Sequence, residues 1–332
     1  MAMNTPATVS PQRPLWKRLL LRRLKFLGWV AAILVVVLGG SYLFVPQWLM
    51  QANFMREAMA AHLDTHSVQA GDTNWVYYEG GEGQTLVLLH GLGDSKEVWL
   101  ETAKLLTPHF HVIIPDLPGW GASSRVVGGS YTVEAQAARL QAFVQALPLQ
   151  HFVLVGHSLG GAIAGVYAAE HPDHVSSLAL IDSFGLKYRE NAFAREALAG
   201  KDPFIFNDRA GFERMTALVL AKPLNLPGRF VDVLIARNQR DRAFIEQNFR
   251  TLSEPSQYLA VQNRLGELDM PVLGVWCRED KIIDISALDS LRDGLVHSAA
   301  ISSSTLNGCN HVPQLEKPEI TAQILTGFAL SH

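Results

Sequence analysis

The chain has 332 residues, 48% of them apolar and 18% charged, with a formal net charge of −3. That length holds one large domain or two ordinary ones, and the composition excludes both a disordered chain and a multi-span membrane protein. The charge is unevenly placed: Arg13, Lys17, Arg18, Arg22, Arg23 and Lys25 precede any acidic residue, leaving 22 basic against 31 acidic residues beyond them, a formal −9. A mildly acidic body gives no reason to expect nucleic acid as a partner.

The first element is the uncharged run of 20 residues at 26–45, FLGWVAAILVVVLGGSYLFV. As a helix it matches a hydrocarbon core of roughly 30 Å, and the basic residues before it place residues 1–25 in the cytoplasm and the body across the membrane. A cleaved signal peptide would have an apolar core of about 7–15 residues, so an uncleaved anchor is expected, although Ala58-Met59-Ala60 could serve as a cleavage site. Residues 46–66 follow as a juxtamembrane helix, with Trp48, Ala52, Met55, Met59 and Leu63 at helical spacing. Packing on its own domain is the favoured role for that face; lying near lipid or pairing with a second copy is the alternative. Gly28 and Ala32 give a weak small-xxx-small pattern for a homodimer.

From about residue 73, β-rich runs at 75–78, 86–89, 111–114, 152–155, 178–181, 272–276 and 301–306 alternate with helical patterns near 96–106, 132–147, 159–170, 286–296 and 318–330. Such alternation predicts an α/β fold, a mostly parallel sheet with helices on both faces. Residues 184–266 break the rhythm with helical segments punctuated by Pro203, Pro223, Pro227 and Pro255. They predict a helical cap inserted between the core segments 67–183 and 267–332.

The chemistry centres on Gly156-His157-Ser158-Leu159-Gly160, which follows one β-rich run and opens an Ala/Gly-rich helix. A serine on a tight strand-to-helix turn is the nucleophile arrangement of an acyl-transfer enzyme, and the helix N-terminus favours developing negative charge. Its base should lie downstream, and His311 follows the last strand in a loop before the final helix. The orienting acid is expected to be Asp280; Asp182 is the weaker alternative, and Asp284 suits a helix cap better. Two backbone N–H groups, of Leu159 and of Leu92 in the loop His90-Gly91-Leu92-Gly93-Asp94, would form the oxyanion hole. His90 is expected to hold that loop, and Asp116 to fix a turn. Trp120 and Trp99 are candidates for an acyl pocket, with burial in the core an equal alternative. His109 and His111 lack a third ligand, so no metal and no cofactor are expected. Cys277 and Cys309 lie on neighbouring loops, and free thiols are favoured slightly over a bond between them.

These segments (HGLGD, PDLPGWGASS, GHSLGG, WCREDKIID and NGCNHVPQLEKPE) resemble the lipase and esterase branch of the α/β-hydrolase superfamily. The resemblance is nearest to bacterial lipases of the Moraxella and Psychrobacter type and to membrane-anchored phospholipases A1 of the PlaF type. It covers roughly residues 50–330. It implies the triad Ser158, Asp280 and His311, the oxyanion donors Leu92 and Leu159, and a lipid or fatty-acyl ester as substrate. It also implies a place in the bacterial inner membrane with the catalytic domain periplasmic. A serine hydrolase of small molecules, cleaving carbon–carbon or thioester bonds, is the competing function; a non-catalytic binding protein on the same fold is the remote one.

Overall fold

Short apolar runs build the sheet at the centre of the molecule. Eight strands form it: β1 (Asp64–Ala70), β2 (Thr73–Gly80), β3 (Thr85–Leu89), β4 (His111–Pro115), β5 (Phe152–His157), β6 (Val175–Ile181), β7 (Val272–Cys277) and β8 (Ile301–Leu306). Their spatial order is β1-β2-β4-β3-β5-β6-β7-β8. The first two form an antiparallel hairpin, β2 also runs antiparallel to β4, and all pairs from β4 to β8 are parallel. In this computed structural model residues 15–147 and 149–332 are described. The α/β expectation holds.

Side chains along one strand point alternately to opposite faces, and both faces are covered. In β3, Val87 and Leu89 join one apolar cluster while Leu86 and Leu88 join another. In β5, Leu154 belongs to the first and Val153 and Val155 to the second. A strand buried on both sides reads as a continuous apolar run, which is why β5 to β7 were legible in the sequence. The polar β1 was not: six of its seven residues face solvent or are half-buried, and backbone pairing with β2 defines it.

The helices are α1 (Leu15–Phe44), α2 (Pro46–Ala60), α3 (Leu100–Leu106), α4 (Val133–Ala146), α5 (Leu159–Glu170), α6 (Ala192–Leu198), α7 (Arg209–Val219), α8 (Gly228–Leu252), α9 (Pro255–Tyr258), α10 (Ala287–Gly294), α11 (Pro313–Glu316) and α12 (Pro318–Ser331). Side chains cap several of them: Thr132 accepts from Ala135 N–H at 3.2 Å, Asn191 from Ala194 at 2.8 Å and Asp208 from Gly211 at 2.7 Å. The stretch between β6 and β7 holds α6 to α9 and no strand.

The chain divides into two compact units, Met1–Gln51 and Ala52–His332. In the first, residues Leu19–Phe44 of α1 are long and apolar enough to cross a membrane, with mean hydropathy 2.2 and none of that window buried. Of the basic N-terminal segment, residues 1–14 including Arg13 lie outside the described residues, and Lys17, Arg18, Arg22, Arg23 and Lys25 lie on the helix. In the second unit the expected packing face of α2 is not buried. Ala52, Met55 and Met59 are exposed, and it is Ala58 and Phe54 that turn inward. Leu63 is buried, but beyond the helix end at Ala60.

Candidate active site

The parallel strands deliver their C-terminal ends to one edge of the sheet, where open α/β sheets place their ligands. From β3 the chain steps one way to β4 and then crosses back to β5. The crevice between β3 and β5 is therefore the switch point, flanked by the loop carrying Leu92 and the turn carrying Ser158.

Ser158 has φ 52° and ψ −119°, a left-handed conformation that costs a non-glycine residue strain and suits a sharp strand-to-helix turn. Glycines make that turn sterically feasible. A Cβ on Gly156 would lie 2.3 Å from the Gly160 carbonyl oxygen, and one on Gly160 would lie 2.5 Å from that of His90. One on Gly91 would meet Ser158 Cβ at 3.2 Å. The loop after β3 thus runs against the serine, with Leu92 and Leu159 lining the same cavity as Ser158.

His311 Nε2 lies 2.9 Å from Ser158 Oγ, and His311 Nδ1 lies 2.9 Å from Asp280 Oδ2. The contact with a carboxylate places a proton on Nδ1, leaving Nε2 free to accept from the serine. Asp280 Oδ1 accepts from the N–H groups of Ile282 at 2.7 Å and Ile283 at 3.1 Å. Both side chains are nearly inaccessible to solvent. The expected nucleophile, base and acid are therefore brought into one hydrogen-bonded row.

A second layer, not expected from the sequence, holds this row. His157 is buried and faces the His311 carbonyl oxygen at 2.6 Å through Nε2; burial, and then the neighbouring His311, keep its pKa well below the usual value, so it is neutral. Asn310 accepts from Lys281 N–H at 2.9 Å and donates to the Leu218 carbonyl at 2.8 Å, joining the histidine loop to the acid loop and to the end of α7. Glu316 accepts from Asn310 N–H at 2.8 Å. Asp182, the weaker candidate for the acid, lies behind Asp280 rather than beside His311. It has φ 42°, no exposure, and one oxygen accepting from Cys277 N–H at 2.9 Å; the other meets no donor. Burial, and then the charge of Asp280, push its pKa well above the ordinary carboxylate value, which favours its protonated form. Asp284 accepts from Ser286 N–H at 2.9 Å in a turn before α10.

Cys277 and Cys309 form a disulfide, which corrects the preference for free thiols. Sequence separation gave no hint; the pairing follows because adjacent parallel strands, β7 and β8, end side by side. Both cysteines are fully buried, within three residues of Asp280 and two of His311. The two tryptophans divide between the pocket and core readings. Trp99 is wholly buried in the apolar cluster that holds Leu100 and Ala103 and lines neither cavity at the site, because it sits on the helical turn before α3. Trp120 lies against Phe244, 4.9 Å between ring centroids, and lines a second cavity.

His90 secures the oxyanion-side loop: its Nε2 accepts from Leu117 N–H at 2.9 Å and its Nδ1 faces the Gly91 carbonyl at 2.8 Å. Behind it Asp116 takes Lys96 Nζ and Lys96 N–H, each at 2.7 Å, and Ala122 N–H at 2.8 Å. Burial opposes the Lys96 charge, but Asp116 and Glu97 outweigh it and raise its pKa. His111 is occupied by Thr85 and Glu79, and no group of three or more metal-binding side chains occurs among the described residues.

Above Ser158 a cavity of about 260 Å³ runs between the sheet and the helices that follow β6. Its wall is largely apolar: Phe184, Leu186, Phe193, Ala194, Phe204, Phe249, Leu252 and Ile282 among others.

Comparison with known proteins shows which family the chain resembles. A family model described as the α/β hydrolase fold matches residues 84–226. Lipase 1 of Psychrobacter immobilis is 31% identical over 83% of this chain and 86% of that protein. Human monoacylglycerol lipase ABHD6 is 29% identical over 92% and 93% respectively. The crystal structure of a membrane phospholipase A, a bacterial virulence factor, superposes with a TM-score of 0.82 at 34% identity, covering 92% of this chain and 98% of that one.

Proposed function

The chain belongs to the α/β-hydrolase family and is a carboxylic-ester hydrolase, and from that premise we propose that it cleaves membrane lipid esters by a Ser158–His311–Asp280 triad. The continuous row of two 2.9 Å contacts from Ser158 Oγ through His311 to Asp280 carries the proposal. Ser158 Oγ attacks the ester carbonyl as His311 Nε2 takes its proton, and Leu92 and Leu159 N–H groups receive the oxyanion. His311 then protonates the departing alcohol. Water, deprotonated by the same imidazole, releases the fatty acid from the acyl-enzyme. Asp280 holds the Nδ1–H tautomer throughout.

The apolar cavity beside Ser158 supports a fatty-acyl chain as the group transferred. The monoacylglycerol lipase, lipase and phospholipase names of the relatives support a glycerolipid substrate. Within the proposal, α1 crosses the bacterial inner membrane with its N-terminus cytoplasmic and the catalytic domain periplasmic, residues 26–45 being the span and 184–266 the cap. The basic residues before the apolar run support that orientation, and so does the disulfide, which persists in oxidising compartments. Tethering raises the effective concentration of a substrate that resides in the bilayer. The same anchor admits a homodimer through Gly28, Ala32 and the exposed Met55 and Met59, which sedimentation in detergent tests.

The experiment is to incubate detergent-solubilised protein with defined phospholipids, lysophospholipids and monoacylglycerols and identify the released acids. Fatty-acid release is expected. Turnover of a thioester or a diketone with no release from any glycerolipid would replace the proposal by the small-molecule one.

A further inference from the structure

A second cavity, of about 340 Å³, meets the apolar one at Leu92 and Phe204, which line both. The two linings differ in chemistry. The apolar cavity carries one lysine and one glutamate, Lys187 and Glu190, which cancel. The second carries Arg125, Arg237 and Arg240 against the single carboxylate of Asp241, a formal +2.

That carboxylate is already shared. Arg125 lies 3.8 Å over the Phe244 ring and reaches Asp241 Oδ1 at 3.2 Å, while Arg240 reaches Oδ2 at 3.0 Å. Arg237, three residues before Arg240 on α8, makes no hydrogen bond or ion pair with a described residue. Asn238 beside it is tied to Phe204 and Phe206, fixing the wall from which Arg237 projects. The charge of Arg237 is felt at Asp94. Desolvation pushes Asp94 up to about 7, so at neutral pH it offsets only part of the arginine charge.

We propose that this cavity is the alcohol-side subsite and takes a glycerol phosphate group, the phosphate-bearing alcohol of a phospholipid or lysophospholipid. The proposal rests on the lipid-ester function above. Ser158 and Leu159 line the apolar cavity and Leu92 lines both, so an ester held at these groups can send its acyl chain into the first and its alcohol past Leu92 into the second. As the Ser158 Oγ–acyl bond forms, the ester C–O bond breaks and the glycerol phosphate oxygen leaves with the proton from His311. Guanidinium groups stay charged and match phosphate oxygens in a two-point contact. A neutral monoacylglycerol would leave Arg237 facing only water.

The test compares kcat/KM for 1-lauroylglycerol and 1-lauroylglycerol 3-phosphate in one mixed-micelle system. The wild-type chain should prefer the phosphate ester. Arg237→Gln should lower the phosphate-to-neutral ratio by about tenfold, the effect of one charge-assisted hydrogen bond, and Arg237→Lys should retain most of it. Glycerol 3-phosphate should inhibit turnover of p-nitrophenyl butyrate more strongly than inorganic phosphate does. An unchanged ratio, or equal losses on both lipids, would overturn the subsite. Equal inhibition by inorganic phosphate without a substrate preference would make it a free-anion site and overturn it too. If neither lipid is hydrolysed by the wild-type chain, the lipid-ester function itself fails, a separate outcome.

Discussion

Asp280→Asn and Asp182→Asn are substitutions of equal size, and their effects on turnover are expected to differ by about three orders of magnitude. In Asp280, Oδ1 is held by two backbone N–H groups, at 2.7 and 3.1 Å, and Oδ2 by His311 at 2.9 Å. An asparagine must keep its oxygen on those two donors, because reversing the amide would set an NH2 against both. Its NH2 then faces His311 Nδ1, which can accept only if the ring proton moves to Nε2. That proton points at Ser158 and the base is lost. A wrong tautomer costs about 10⁴ in kcat, or roughly 5.4 kcal/mol at about 1.36 kcal/mol per decade. At Asp182 the asparagine oxygen keeps the Cys277 N–H at 2.9 Å, and its NH2 takes the place of the carboxyl proton facing Asp280. The loss there should stay below about tenfold, the scale of one neutral hydrogen bond. Steady-state hydrolysis of p-nitrophenyl butyrate by both variants, with folding checked by circular dichroism, measures the difference. Equal losses, or the larger loss at Asp182, would refute the assignment of Asp280.

The buried carboxyl of Asp182 also predicts a pH dependence of stability. Its folded pKa lies well above the ordinary aspartate value of about 3.9, so the protonated form is favoured in the native state. Stability is then lost as pH rises above about 4 and through the folded pKa, by at most about 1.4 kcal/mol per pH unit. Asp182→Asn should gain on the wild-type chain between pH 4 and 7 in urea unfolding, and a constant gap would contradict this. Opening the Cys277–Cys309 bond, which closes a loop with a sequence separation of 32, should cost about 3–4 kcal/mol; a Cys277→Ser/Cys309→Ser variant with unchanged urea midpoint would count against that. Gly160→Ala should destroy the nucleophile turn, because its Cβ would lie 2.5 Å from the His90 carbonyl oxygen and 2.7 Å from that of Leu89. Soluble, fully active Gly160→Ala protein would show that the turn can yield.

What the sequence made legible is what backbone geometry forces on local residue choice. Gly156, Gly160 and the buried run of β5 mark the turn because no side chain fits there, and the order of Ser158, Asp280 and His311 follows from which strand each loop ends. Contacts made only when distant segments meet were not legible. Nothing local says that Asp182 faces Asp280, that His157 holds His311 from behind, or that Cys277 reaches Cys309. The two tryptophans show the same limit: Trp120 and Trp99 look alike as apolar residues, and only the face of the sheet on which each lands separates a cavity wall from a core. The polar β1 was missed because its order comes from pairing with β2 and not from burial. The arginine-lined cavity needs α8 folded over the loop after β3, a contact no spacing encodes.

The most direct test of the catalytic assignment is active-site labelling with a fluorophosphonate, read by intact mass and by mapping the modified peptide. A single adduct on Ser158, absent from Ser158→Ala protein that has lost ester hydrolysis while remaining folded, is the predicted result. An adduct on another residue, or hydrolysis surviving in the Ser158→Ala chain, would contradict it.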